Sequence, residues 1–246
     1  MKQKYAIELS YNGKNYHGWQ IQNNAITVQG VLEEKISTFL REKIEIIGAG
    51  RTDTGVHSKF FVADFNSKNF FLDKKEKNFI FKINRFLPND IAINKIFKVK
   101  NNFHSRFDAL SRTYKYYIET KKNPFNQETS LIVQKNLNVE KMNEASKILF
   151  EYKDFTSFSK VNTDTKTNIC KIYKANWVKK NSILIFEIKA NRFLRNMVRA
   201  IVGTILEVGE EKINISDFRK IIELKNRSKA GVSAAAKALF LTKIEY

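Results

Sequence analysis

The chain has 246 residues, 43% of them hydrophobic and 13% aromatic, with 44 Lys and Arg against 25 Asp and Glu, a formal charge of +19. That length and apolar content exclude a compositionally disordered chain and allow one large domain or two of about 100 to 120 residues, while the charge calls for a polyanionic partner, nucleic acid before membrane surface. No apolar run nears the roughly 18 residues of a bilayer span, and a single cysteine (Cys170) with three scattered histidines (His17, His57, His104) excludes an internal disulfide and a structural zinc site.

In chain order, Met1-Lys2-Gln3-Lys4 leads straight into an alternating strand over 5–11, with no signal-peptide apolar region, so a reducing cytoplasm is the expected compartment. Asn12-Gly13 marks a turn. The aromatic stretch Tyr16-His17-Gly18-Trp19-Gln20 that follows reads as packing against a sheet rather than as a base-stacking platform. Thr27 is placed to cap a helix that carries Val28, Val31, Leu32, Ile36, Phe39 and Leu40 on one face. The apolar run Ile44-Glu45-Ile46-Ile47 reads as a strand, as does 60–65. Asp73 is placed to cap a helix running through Arg85, and 91–99 is a further strand. The order strand, helix, strand, strand, helix, strand is that of a ferredoxin-like or RRM-like unit.

Asn101-Asn102 marks the expected junction, which divides the chain into 1–102 and 103–246. Beyond it come a strand with tyrosines at alternate positions (Tyr114 and Tyr116 on one face, Lys115 and Tyr117 on the other) and a helix over 139–152. Strands over 169–178 and 183–190, a helix over 193–208, a short helix over 216–224 and a closing strand over 239–244 complete it. The spacing of Arg192, Arg195 and Arg199 predicts a basic stripe along the 193–208 helix. Basic charge covers both parts: 18 Lys and Arg against 11 Asp and Glu up to residue 110, and 26 against 14 after it.

The stretch that carries chemistry is Gly48-Ala49-Gly50-Arg51-Thr52-Asp53-Thr54-Gly55-Val56-His57. A strand runs into a glycine-permitted turn that presents Asp53, with Arg51 two residues before it and a threonine on each side. A carboxylate beside a guanidinium stays ionised, and threonine hydroxyls can orient it. From the residues alone Asp53 is a nucleophile, a base or a metal ligand, or the carboxylate of a surface Asx-turn. Asp-Thr-Gly also occurs in aspartic proteases, but there it follows an apolar strand end rather than Arg-Thr.

The full string resembles the active-site loop of the tRNA pseudouridine synthase A family. Further motifs match in order along nearly the whole chain: Tyr11-Asn12-Gly13 with Tyr16-His17-Gly18-Trp19-Gln20; Thr27-Val28-Gln29; Leu87-Pro88-Asn89-Asp90-Ile91; Phe103-His104-Ser105-Arg106-Phe107; Asp154-Phe155-Thr156-Ser157-Phe158; Met197-Val198-Arg199 with Ile201-Val202-Gly203; and Leu239-Phe240-Leu241. The resemblance implies an α+β fold of two ferredoxin-like or RRM-like halves, with mixed, mainly antiparallel sheets, joined around a central active-site cleft. It implies isomerisation of uridine to pseudouridine at positions 38, 39 and 40 of the tRNA anticodon arm by a homodimer, with no metal and no other cofactor. In that family pattern Asp53 is the nucleophile, Arg51 orients it, Tyr114 stacks on the target uracil and Arg199 is a buried cation paired with Asp53. Thr52, His57, Arg106 and Arg195 would contact the substrate. Two positions depart from the pattern: Thr54 stands where alanine is common, and Ala238 where glycine is usual. The rival class is a non-catalytic RNA-binding protein on paired RRM-like folds, which charge and fold alone would also fit.

Overall fold

The computed structural model describes residues 2–70, 76–161, 163 and 165–246; Asp73, the expected helix cap, lies outside them. Among the described residues nine strands and five α-helices make an α+β fold, and no helix is long and apolar enough to cross a membrane. The chain divides into two compact units, 1–110 with 241–246 and 111–240. The sequence suggests a single cut at 101–102. The structure instead keeps 103–110 with the first unit and returns the last six residues to it.

The first unit is built from β1 (Gln3–Tyr11), α1 (Val28–Leu40), β2 (Ile46–Gly48), β3 (His57–Ser67), α2 (Glu76–Phe86) and β4 (Ile91–Lys98). β1 lies antiparallel between β3 and β4, and β2 pairs antiparallel with β3. The spatial order β4-β1-β3-β2 is that of a ferredoxin-like sheet. α1 starts where the sequence placed it, because the Thr27 hydroxyl accepts the Gly30 amide at 3.3 Å. Its buried face, with Val28, Leu32 and Ile36, covers a core that holds Tyr5, Ile7, Leu9, Phe61 and Phe65.

A buried ion pair, Lys4 Nζ to Asp64 Oδ2 at 3.1 Å, explains why residues beyond 102 stay with this unit. Asp64 Oδ1 also accepts the Ser105 amide at 2.8 Å, and Lys4 Nζ donates to the Phe103 carbonyl. The Leu110 amide donates to the Glu245 carbonyl at 2.7 Å, and the Tyr246 hydroxyl to the Ser105 carbonyl at 2.7 Å, which ties the chain's end to the same place.

The second unit contains β5 (Ser111–Glu119), β6 (Leu131–Ile132), α3 (Val139–Ile148), β7 (Ile172–Lys180), β8 (Ile183–Ala190), α4 (Met197–Gly209) and α5 (Ile215–Glu223). It ends in the first two residues of β9 (Leu239–Glu245). β8 lies antiparallel between β5 and β7, and β6 adds to β5 in parallel. Helix α3 ends at Ile148 and continues as a 3-10 turn, Leu149–Glu151, short of the expected 152.

The larger correction concerns α4. The sequence places its start at 193, but the helix begins at Met197, because Asn196 sits in the left-handed region at φ 66 and breaks helical continuity. Arg192 and Arg195 therefore precede the helix, and the three arginines do not form a helical stripe.

Each unit closes its outer strand in the same way. In the first, the Asn84 side chain on α2 donates to the Ile93 carbonyl and accepts the Ile93 amide, both at 2.8 Å. In the second, Asn143 on α3 donates to the Trp177 carbonyl at 3.2 Å and accepts its amide at 2.8 Å.

Candidate active site

The loop between β2 and β3 is shaped by its own turn and by the segment that follows β1. The Val56 amide donates to the Asp53 carbonyl at 3.1 Å, with Gly55 at φ 77, so the chain turns back immediately after Asp53 through a residue that must be glycine-like. On the other side of the loop, the Trp19 amide donates to the Thr52 carbonyl at 3.3 Å and the Gly55 amide to the Tyr16 carbonyl at 3.2 Å. The Tyr11 and Thr52 hydroxyls share a hydrogen bond of 2.8 Å, and the Gly13 amide donates to His57 Nδ1 at 3.0 Å. Segments 11–19 and 52–57 are thus zipped together on both sides of Asp53.

Trp19 fixes this zipper in the core. It is buried and stacks on Phe61 with ring centroids 4.0 Å apart. The aromatic stretch is packing, as its sequence suggests. Gly18 allows the close approach: it has φ 85, and a Cβ there would lie 2.3 Å from the Thr52 carbonyl oxygen. Gly18→Ala is accordingly expected to destabilise the protein by about 2 kcal/mol or more, through left-handed strain plus overpacking. It should lower activity as well, because the atom displaced is the backbone beside Asp53. Thermal melting and turnover on tRNA check this together.

The expected site residues fall as follows. Asp53 is half-buried at the turn, while Arg51 and Thr54 are exposed beside it. Thr52 is buried and its hydroxyl is shared with Tyr11, so it anchors the loop. His57 is buried with Nδ1 accepting a backbone amide, which makes it part of the same scaffold. Arg106 is exposed just after the buried Ser105 of this unit, its guanidinium 5.5 Å from the Phe107 ring centre.

In the second unit Tyr114 is half-buried on β5, opposite Ile188 of β8, with its ring edge-on to Phe193 at 5.2 Å. Two positions along, Tyr116 is fully buried and donates its hydroxyl to the Ala235 carbonyl at 2.9 Å; burial pushes its phenol well up, against the lowering charge of Arg199. Arg199, half-buried on the first turn of α4, donates from Nε to the Ala234 carbonyl at 2.7 Å and accepts the Ala234 amide at 3.0 Å. The segment that meets Arg199 and Tyr116 is itself held. Gly231 donates to the Thr204 hydroxyl at 3.0 Å, Asn196 and Arg227 both donate to the Ser233 hydroxyl, and a Cβ on Gly203 would collide with the Val232 carbonyl. Arg195 is exposed. The departure at Ala238 is absorbed: the residue is buried at the end of a 3-10 turn that leads into β9.

A profile described as tRNA pseudouridine synthase matches residues 8–108 and 145–246. The chain belongs to the tRNA pseudouridine synthase family. It is 54% identical over 247 residues to the tRNA pseudouridine synthase A of Bacteroides fragilis, covering 99% of this chain and 96% of that one. Against the protein of the same name from Bacteroides thetaiotaomicron the identity is 53%, over 99% and 91%. Against that of Borrelia duttonii it is 39%, over 99% of both chains. As a member of this family the chain is an isomerase that converts uridine in tRNA to pseudouridine.

What sequence reasoning missed is the scaffold of the loop. The motifs flagged Tyr11, Tyr16, Trp19 and Asp90, but nothing in their spacing pairs them with Thr52, Gly55, Phe61 or each other. Phe193, the aromatic against Tyr114, carried no signal beyond its apolar character.

Proposed function

We propose that this synthase acts at positions 38, 39 and 40 of the tRNA anticodon arm, as a cytoplasmic homodimer, with Asp53 as nucleophile. The reaction breaks the bond from N1 of uracil to the ribose, turns the detached base and joins the ribose to C5; the C5 proton leaves and N1 gains one. Atoms balance without oxidant, reductant or metal. The protein must supply a carboxylate near the sugar, a wall that retains the base and positive charge in the same site. Asp53 is the carboxylate, the Tyr114 ring is the wall, and Arg51 and Arg199 carry the charge. Arg106 and Arg195, both exposed, meet phosphates. The target base must leave its stack, at a cost of about a few kcal/mol offset by stacking on Tyr114.

The observation that carries this reading is the half-buried Asp53 at the start of a turn whose flanks are both fixed by hydrogen bonds. Such a carboxylate is held at low cost in motion when the substrate arrives. Incubation with unmodified tRNA followed by mapping of pseudouridine tests it: product at 38 to 40 supports the reading, and product elsewhere overturns the site assignment.

The charge of +19, present in both units, implies binding governed by phosphate contacts. Affinity for tRNA is expected to fall about 10-fold or more between roughly 50 and 200 mM salt. A flat response in a filter-binding titration would assign the basic surface to another task.

A further inference from the structure

One residue outside the catalytic loop grips the segment that grips the loop. Asp90, between α2 and β4, makes three bonds to residues 12–16: its carbonyl accepts the Asn12 amide at 2.9 Å, Oδ2 accepts from Asn15 Nδ2 at 3.1 Å, and Oδ1 accepts the Tyr16 hydroxyl. Tyr16 is buried, and its own carbonyl accepts the Gly55 amide at 3.2 Å, two residues from Asp53. Tyr16 therefore links Asp90, through its hydroxyl, to the turn that presents Asp53, through its backbone carbonyl. Burial and the Asp90 carboxylate both push the Tyr16 phenol above its ordinary range, so it remains a donor at any pH at which the protein works. A phenol donating to a carboxylate is a charge-assisted bond, stronger and more directional than a neutral one.

We propose that Asp90 and Tyr16 are positioning residues for the isomerisation: through the Tyr16 carbonyl they set the height and angle of the turn that carries Asp53. Neither touches the substrate. Their effect is on the geometry of attack, where a misplacement of about 1 Å can cost on the order of 100-fold in rate. The inference rests on Asp53 being the nucleophile, and its test separates the two.

Tyr16→Phe removes one oxygen and keeps the buried ring. It is expected to lower kcat on unmodified tRNA by about 10- to 100-fold, with KM and tRNA affinity within about 3-fold of wild type. Hydrogen exchange at the Gly55 and Val56 amides should quicken at least tenfold, while the melting temperature stays within a few degrees. Asp90→Ala should match it, Asp90→Asn should recover part of the rate because one acceptor oxygen remains, and the Tyr16→Phe/Asp90→Ala double variant should be no worse than either alone. A Tyr16→Phe enzyme with kcat within twofold of wild type, or unchanged exchange at Gly55, overturns the proposal. So does a rate loss accompanied by a large fall in melting temperature that Asp90→Asn does not recover. Asp53→Asn run beside it distinguishes the premises: an active Asp53→Asn enzyme removes the nucleophile assignment, whereas the exchange data still report whether Tyr16 and Asp90 hold the turn.

Discussion

Asp53→Asn is expected to lower turnover on unmodified tRNA by at least about 10³-fold, roughly 4 kcal/mol in the barrier, with tRNA affinity nearly intact. The substitution keeps size and replaces the carboxylate proposed as nucleophile with a neutral amide. The bonds that shape the loop run through the Thr52 carbonyl and hydroxyl, the Gly55 amide and the His57 ring, so they survive the change. The loss should therefore lie in kcat, with a melting temperature close to wild type. Single-turnover kinetics on a defined tRNA, with a binding titration of the same variant, measure both. Activity within tenfold of wild type would remove Asp53 from the chemistry.

Tyr114→Phe is expected to bind tRNA within a few-fold of wild type and to turn over at least about 100-fold more slowly, the scale of a lost acid or base. The reasoning starts from the contrast with Tyr116. That residue is fully buried, its hydroxyl is committed to the Ala235 carbonyl, and burial raises its phenol far from neutrality. It is a core residue. Tyr114, two positions away, is half-buried and braced edge-on by Phe193. Its ring can stack on a flipped uracil, a contact worth about 1 to 3 kcal/mol, and its hydroxyl can move the proton that leaves C5. The Phe variant keeps the ring and its contact with Phe193 and deletes only the oxygen. Tyr114→Ala loses stacking as well and should weaken binding further. If the Phe variant is fully active and the Ala variant fails only by melting at lower temperature, Tyr114 is packing and not chemistry.

Much of the architecture was legible because local chemistry decided it. Thr27 capped α1 as its side chain allows, and β1 and β5 formed where the tyrosines and branched residues recur. The Asp53 turn was legible from the glycines around it, but Gly48 ends β2 and it is Gly55, not Gly48 or Gly50, that takes the left-handed φ. Where the sequence misled, tertiary contacts had won. Apolar Phe193 and Leu194 extend the helical period of α4 upstream, yet Asn196 turns left-handed and donates instead to Ser233. The flanking threonines of Asp53 looked equivalent, but Thr52 faces inward to Tyr11 and Thr54 lies exposed. The return of residues 241–246 to the first unit depends on backbone bonds between positions far apart in the chain, which no window of sequence contains.

The two asparagines that clip the outer strands bear on how such a protein lives at high concentration. An outer strand with free amides and carbonyls is a template for the outer strand of any other molecule, and chains this rich in Phe and Ile pay heavily for such encounters. Asn84 and Asn143 each fill one residue's donor and acceptor at once, as a neighbouring strand would. A newly made copy thus finds the edge at Ile93 or Trp177 already taken, and a strand added there would have to displace the asparagine before it could pair in register.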